Sequence, residues 1–342
     1  MTQDILLDAA RPLSLLSLCP AYRPSPLARL ADGGPLLVKD ETGRMGLGAF
    51  KALGGVYAVA RLLEARLGIE ATAIDEMRHA VAGAGITFVC ASAGNHGLSV
   101  AAGARLFGAR ARIHLSPQVH NSFAERLREK GAEVARSGTN YEESVAAAVA
   151  DGEATGAIHL ADGSWDGYIE PPRLVMEGYT VIAEEMRRDF AAAGDWPSHV
   201  YLQAGVGGLA GAVAHAIRRT WEVQPEIIVV EPEAAPCLKA SVAAGRMVTV
   251  EGPDSIMGRL DCKTPSLIAF EILAKAADRF VTVSEVAGAA AAMRAKALGF
   301  PTTPSGAAGL AALDAEPVRP RRPLVIISEG AVAVPSGSTG PA

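Results

Sequence analysis

Residues 200–217, VYLQAGVGGLAGAVAHAI, decide the fold class. Val200–Gln203 is a short apolar run, Ala204–Gly208 is a glycine turn, and an alanine-rich helical stretch follows. Strand, tight turn and helix in that order form the repeating unit of a parallel α/β sheet. The pattern recurs in both directions. Strand candidates lie at 36–38, 87–90, 112–115, 157–160, 200–203, 227–230, 280–283 and 324–327. Helical candidates separate them at 49–67, 97–107, 120–130, 141–150, 173–193, 209–220, 266–276, 285–298 and 305–313. In the first of these, Phe50, Leu53, Tyr57, Ala60, Leu63 and Leu67 recur at steps of three or four and give one apolar face. Short runs that are apolar on both faces, alternating with helices, predict an α/β fold with mostly parallel sheets. The tail 335–342 is expected to be mobile.

With 342 residues, 49% of them hydrophobic and 20% charged, the chain has material for about two domains with large cores. The 32 basic and 37 acidic residues leave a net charge of −5, which argues against a nucleic-acid partner held by phosphate neutralisation. Four cysteines, Cys19, Cys90, Cys237 and Cys262, have neither zinc-site nor redox-motif spacing, so no metal is expected and a reduced, cytoplasmic setting is. The opening residues MTQDILLDAARPL lack a basic region and do not read as a secretory signal. The uncharged run 200–217 carries Gln203, His215 and four glycines, which suits a strand, turn and helix rather than a membrane span.

Three segments carry chemistry. Gly205, Gly207 and Ala210 match the dinucleotide fingerprint G-x-G-x-x-G/A, and Glu231 follows the next strand as a candidate ribose acid. The physics licenses less: small residues let backbone N–H groups and a helix N-terminus approach an anion, whatever molecule bears it. A tight turn that packs helix on strand is the bland alternative. Lys51, in GLGAFKALGG, lies among glycine, alanine and phenylalanine at the start of the amphipathic helix. Most lysines are solvated, but a desolvated amine there suits Schiff-base chemistry and proton abstraction. In FVCASAGNHGLSVAA, a strand runs into the polar loop Ser92–Gly97 and then a helix. That is the ligand position of open α/β sheets, or a plain capped turn.

The order of these elements, closed by Ser328 in LVIISEG, resembles the fold-type II pyridoxal-phosphate enzymes, the tryptophan synthase β and threonine dehydratase superfamily. The resemblance runs from YRPSPL (22–27) to SEGAVA (328–333). Within the superfamily, VKDETGRMGLGAFKALGG (38–55), DGSWDGYIEPPRLVMEGY (162–179) and SIMGRLDCKTPS (255–266) resemble the diaminopropionate ammonia-lyase branch. The resemblance implies two open, twisted, mostly parallel sheet domains with the site in the cleft. The larger would comprise 1–82 and 167–342; the smaller, 83–166, would carry the Asn loop and close on substrate. It also implies a homodimer.

Pyridoxal 5′-phosphate would be the cofactor. Lys51 would carry it covalently and, once released, act as the base at Cα. Asn95 would hydrogen-bond the pyridoxal 3′-oxygen, and Gly205, Val206, Gly207, Gly208 and Leu209 would hold the phosphate. Ser328 would stand near the pyridine nitrogen. Ser92, Ala93, Gly94 and His96 would hold the substrate carboxylate, with Tyr168 lining the pocket. Asp162 is the candidate acid for a departing β-amine, or an ordinary turn aspartate. Ala93 stands where the family often has aspartate, opposite the lysine, so selectivity for L-amino acids is expected; the second departure, Gly48 in place of asparagine, has no assigned effect.

The implied activity is α,β-elimination from a small L-amino acid, foremost L-2,3-diaminopropionate, to pyruvate and ammonia. The alternatives are an L-serine, L-threonine or 3-hydroxyaspartate dehydratase of the same fold, an NAD(P)-dependent oxidoreductase using the GVGGLA loop, and a non-catalytic ligand-binding relative.

Overall fold

The computed structural model describes residues 5–331; the tail 335–342, expected to be mobile, lies outside them. Ten strands form two sheets. The first contains β1 (Leu27–Ala31), β2 (Pro35–Asp40), β7 (His199–Gln203), β8 (Glu226–Pro232), β9 (Arg279–Val283) and β10 (Pro323–Ile327), in the order β1-β2-β10-β7-β8-β9. Only β1, paired with β2, is antiparallel in it. The second contains β3 (Thr87–Ala91), β4 (Arg110–Leu115), β5 (Glu133–Arg136) and β6 (Ile158–His159), all parallel, in the order β5-β4-β3-β6. Every strand of the second sheet thus falls within 87–159, while the first sheet joins the two ends of the chain.

The helices are α1 (Ala10–Ser17), α2 (Lys51–Leu67), α3 (Ile74–Val81), α4 (Asn95–Phe107), α5 (Asn121–Glu129), α6 (Tyr141–Thr155), α7 (Glu170–Ala193), α8 (Gly208–Thr220), α9 (Cys237–Ala244), α10 (Leu267–Ala276), α11 (Glu285–Ala297) and α12 (Ala308–Asp314). All eight strands expected from the sequence are present. The two it omits, β1 and β5, are sheet edges of mixed polarity that offer no continuous apolar run. The omitted helices α1, α3 and α9 are each eight residues long, too short for a clear period.

α2 is buried from Ala52 to Ala60 and lies between α7 and α4. Glycines permit the approach. A Cβ at Gly54 would lie 2.4 Å from Tyr179 Cε1 and 2.5 Å from the Val175 carbonyl of α7. One at Gly178 would lie 2.7 Å from Gly54 Cα, and one at Gly55 would lie 1.9 Å from Ser99 Oγ of α4. α2 therefore touches helices of both sheets at backbone distance.

Ahead of α2, the KDE…R motif folds into a closed ionic knot. Lys39 Nζ meets Glu185 at 2.7 Å, and Arg44 meets both Glu41 and Glu185 at 2.7 Å, with all four side chains almost fully buried. Ser25 supplies further hydrogen bonds. Two cations and two anions satisfying one another is the condition under which charges can be buried at all.

β8 carries the buried Glu231, which accepts the Leu238 and Lys239 amides at 2.7 and 2.8 Å and so caps α9. Burial raises its pKa from 4.5 to about 7, against the lowering effect of those two amides. The folded state therefore holds this proton more tightly than the unfolded chain. The associated stability is complete below pH 4.5 and lost as pH rises to about 7, at most about 3 kcal/mol. Urea denaturation across that range should show Glu231→Gln with a flatter pH profile than the parent; parallel profiles would contradict the assignment. Gly54→Ala should lower stability by about 1–3 kcal/mol through overpacking. Gly43→Ala, where a Cβ meets nothing within 4 Å, should change it by less than about 0.5 kcal/mol.

Candidate active site

A cavity of about 550 Å³ opens between the two sheets. Lys51 enters it as the first residue of α2. The turn before it is stitched to the segment after β10: the Phe50 amide donates to the Ser328 carbonyl at 3.1 Å, the Gly330 amide to the Gly48 carbonyl at 2.9 Å, and Ala49 bridges Glu329. The lysine and the Ser328 loop are thereby fixed relative to each other.

The Lys51 ammonium pairs with the Asp162 carboxylate, from the loop after β6. Burial alone would raise the Asp162 pKa, but the facing Lys51 charge outweighs it and holds the carboxyl well below the usual range. In this state Asp162 is ionised and has no proton to give.

β7 ends at Gln203 and the chain turns into α8 through Ala204–Gly207. Gly207 has φ +98°, a conformation that favours glycine. A Cβ at Gly205 would fall 2.9 Å from Cys262 Sγ and 3.0 Å from the Arg259 carbonyl, so the strand end has no room for a side chain. Gly205–Leu209 line the cavity, and the first-turn N–H groups of α8 have no partner within the helix. Tyr179, packed edge-on against Phe50 at 4.9 Å, also lines it; among the described residues its buried hydroxyl finds no partner. A backbone cradle at a helix N-terminus, beside an orphaned phenol and a lysine, fits a phosphate-bearing aldehyde cofactor.

The Asn loop faces this cradle. Asn95 begins α4, and its Nδ2 donates to Glu329 Oε2 at 2.5 Å. Ser92, Ala93, Gly94 and His96 all line the cavity. His96 Nε2 donates to the Leu160 carbonyl at 2.8 Å, and burial lowers its pKa, so the ring is neutral and ties α4 to the end of β6.

Tyr168 departs from expectation. It does not line the cavity: its hydroxyl donates to the His159 carbonyl at 2.9 Å and accepts from the Ala161 amide at 3.1 Å, and its ring stacks on Trp165. It braces the loop that carries Asp162. Glu231 also lies outside the lining, and its role as the α9 cap leaves the ribose-acid reading of the glycine loop without its acid. Cavity residues that the sequence reading did not single out include Tyr179, Arg259 and Glu329. The first two fall inside segments already quoted for the family resemblance, and the third directly follows Ser328.

Comparison with known proteins agrees with this geometry. A family model described as pyridoxal-phosphate dependent enzyme matches residues 18–330. The chain is 34% identical over 319 residues to the diaminopropionate ammonia-lyase of Escherichia coli strain K12, covering 88% of this chain and 79% of that protein. Its structure is similar to the crystal structure of the E. coli enzyme in complex with D-serine, with TM-score 0.85, 30% identity and coverage of 96% and 91% of the two chains. It is likewise similar to the same enzyme in complex with an aminoacrylate-PLP azomethine reaction intermediate, at TM-score 0.83, 30% identity and the same coverage. With its lysine, glycine cradle and Asn loop gathered around one cavity, the chain belongs to the family of pyridoxal-phosphate dependent enzymes.

Proposed function

We propose that the protein is an ammonia-lyase that eliminates the β-substituent of a small L-amino acid, foremost L-2,3-diaminopropionate, to give pyruvate and ammonia. The observation that carries the reading is the Lys51–Asp162 pair, set in one cavity with the Gly205–Leu209 cradle. The relationship to diaminopropionate ammonia-lyases supports it.

Lys51 and Asn95 would hold the cofactor's ring end, the 205–209 amides its phosphate, and Ser328 its nitrogen side. When bound, pyridoxal phosphate supplies the electron sink that acidifies the Cα proton. Lys51 Nζ then takes that proton, and the N–H groups and hydroxyl of the 92–96 loop orient the substrate carboxylate. Asp162 changes character as Lys51 changes state. With the ammonium beside it, the carboxyl stays ionised; once that charge is gone, burial remains and favours the protonated form. A proton passed from Lys51 can therefore reside on Asp162 and protonate a departing amine.

The absence of a carboxylate at Ala93 supports L-selectivity, because a D-isomer needs a base on the face opposite Lys51. The smaller unit, 83–166, carrying the Asn loop and Asp162, would close on substrate. Four free cysteines support a reduced cytoplasmic setting, and the homodimer rests on the resemblance. No helix among the described residues is long and apolar enough to cross a membrane. The SAGNHG form of the Asn loop favours, as second reading, an L-serine or L-threonine dehydratase.

Purified protein mixed with pyridoxal phosphate should show the visible band of a lysine-bound cofactor, absent in Lys51→Ala. L-2,3-diaminopropionate should then be consumed with release of pyruvate, at least about tenfold faster than the D-isomer. Equal turnover of both isomers would refute L-selectivity, and turnover of L-serine or L-threonine alone would establish the second reading. Asp162→Asn should cut kcat on diaminopropionate by about 10²-fold or more. It should do far less to β-chloroalanine, whose leaving group needs no proton; equal losses on both would remove Asp162 from the acid role.

A further inference from the structure

Glu329 closes the cavity at the point where the two sheets meet. Its side chain is 5% exposed and is held from the six-stranded side before it meets anything across the cleft. Thr303 Oγ1 donates to Oε1 at 2.5 Å, and the Thr302 hydroxyl donates to the Glu329 carbonyl. A Cβ at Gly306 would lie 3.2 Å from Glu329 Cγ, so the chain leaves a slot no wider than the side chain that fills it. The Arg259 guanidinium stands 3.7 Å from Oε2. That same Oε2 accepts Asn95 Nδ2 from the opposite side at 2.5 Å.

The two partners are chemically unequal. A carboxylate offers only acceptors, whereas a carboxamide has a donor end and an acceptor end that exchange by a half-turn about its last bond. A rigid carboxylate facing Asn95 therefore admits the amide in one orientation, with Nδ2 toward Glu329. The flipped amide would set Oδ1 against Oε2, two acceptors in contact. We propose that Glu329 is a positioning residue, which fixes the orientation of the Asn95 carboxamide and so keeps the second Nδ2 proton available to an acceptor oxygen of the bound cofactor. The inference rests on the pyridoxal-phosphate reading of the cavity and adds to it a residue that works through Asn95 rather than by touching the reacting atoms. A neutral amide at position 329 would not do the same, because glutamine accepts and donates and tolerates either orientation.

The test is a titration of the apoprotein with pyridoxal phosphate, following the visible band and its pH midpoint. The proteins compared are wild type, Glu329→Gln, Thr303→Val, Asn95→Ala and the Asn95→Ala/Glu329→Gln double variant. Glu329→Gln should raise the cofactor Kd about five- to tenfold and move the pH midpoint of the band, with an unchanged urea midpoint. Thr303→Val, which loosens one grip on the carboxylate, should move both in the same direction by less. In the Asn95→Ala background, Glu329→Gln should add almost nothing, since the group it orients is gone. The inference is overturned if Glu329→Gln leaves Kd and midpoint unchanged, or if its effect persists in full without Asn95. A wild-type protein that binds no pyridoxal phosphate is a different outcome: it would overturn the functional reading, and this inference with it.

Discussion

The close crossing of α2 with α7 and α4 is the constraint on which the site depends. Gly54 meets Gly178 and Tyr179 on one side, and Gly55 meets Ser99 on the other, at distances where any side chain would overlap existing atoms. Interiors packed to this density do not yield to small shifts, so the helix axis is fixed in both directions. Because Lys51 is the first residue of that helix, its direction of approach to the cavity is fixed with it. A lysine on a loop would have to order its backbone at an entropic cost on every encounter; the backbone of this one is already ordered by the core. The same crossing places the Tyr179 ring between Phe50 and Gly208 of the glycine cradle.

Two lysine–carboxylate pairs in this protein show how surroundings decide between structure and chemistry. Lys39 is fully enclosed, meets Glu185 and the Ser25 carbonyl, and sits in a knot whose charges are all answered. Nothing in that knot can exchange a partner without leaving a buried charge uncompensated, at a cost of about 3–5 kcal/mol. Lys51 keeps about a quarter of its side chain exposed to the cavity, and its partner Asp162 comes from the other sheet's side of the cleft. An ion pair made across an open cavity can be broken by a ligand that offers the lysine something else. When it breaks, the carboxyl left behind loses the field that kept it ionised. Residues of the same kind are thus locked into the fold in one place and left open to a ligand in another.

What the sequence made legible were features fixed by neighbours in the chain. The α/β class follows from apolar runs between helical stretches. The glycine cradle, Lys51 and the Asn loop each carry a local signature because strand, turn and helix succeed one another within a few residues. What escaped depends on partners far away. Asn95 and Glu329 are 234 residues apart, and neither position says that the other orients it. Tyr168 sits in a segment that does belong to the site, yet its hydroxyl turns back to the 159–161 backbone, a choice made by the loop's own hydrogen bonding. Glu231 stands at a plausible spacing for a ribose acid, but the helix that follows takes its carboxylate as a cap, and short α9 gave no period by which to foresee that. The edge strands β1 and β5 were hidden for a different reason: an edge has one open side, so its residues need not be apolar.

The order of strands in the larger sheet explains why the lysine and the Ser328–Glu329 loop are neighbours at all. β10 lies between β2 and β7, parallel to both, with Leu324 opposite Leu37 on one side and Val200 on the other. It has no edge position to occupy; it can be accommodated only where both flanking strands already stand. The segment that leads to Lys51 follows β2, the glycine cradle follows β7, and Ser328 and Glu329 follow β10, so three adjacent parallel strands deliver three parts of one cavity from their C-terminal ends. Most of the ordering cost of the site is therefore met by sheet formation, which the buried apolar strands drive on their own account. The Asn loop is the exception. It arrives from the other sheet, and its Asn95 side chain meets the larger sheet's side through Glu329. Its placement against the other three parts therefore depends on side-chain contacts across the cleft, Asn95 with Glu329 and Asp162 with Lys51, rather than on a shared strand.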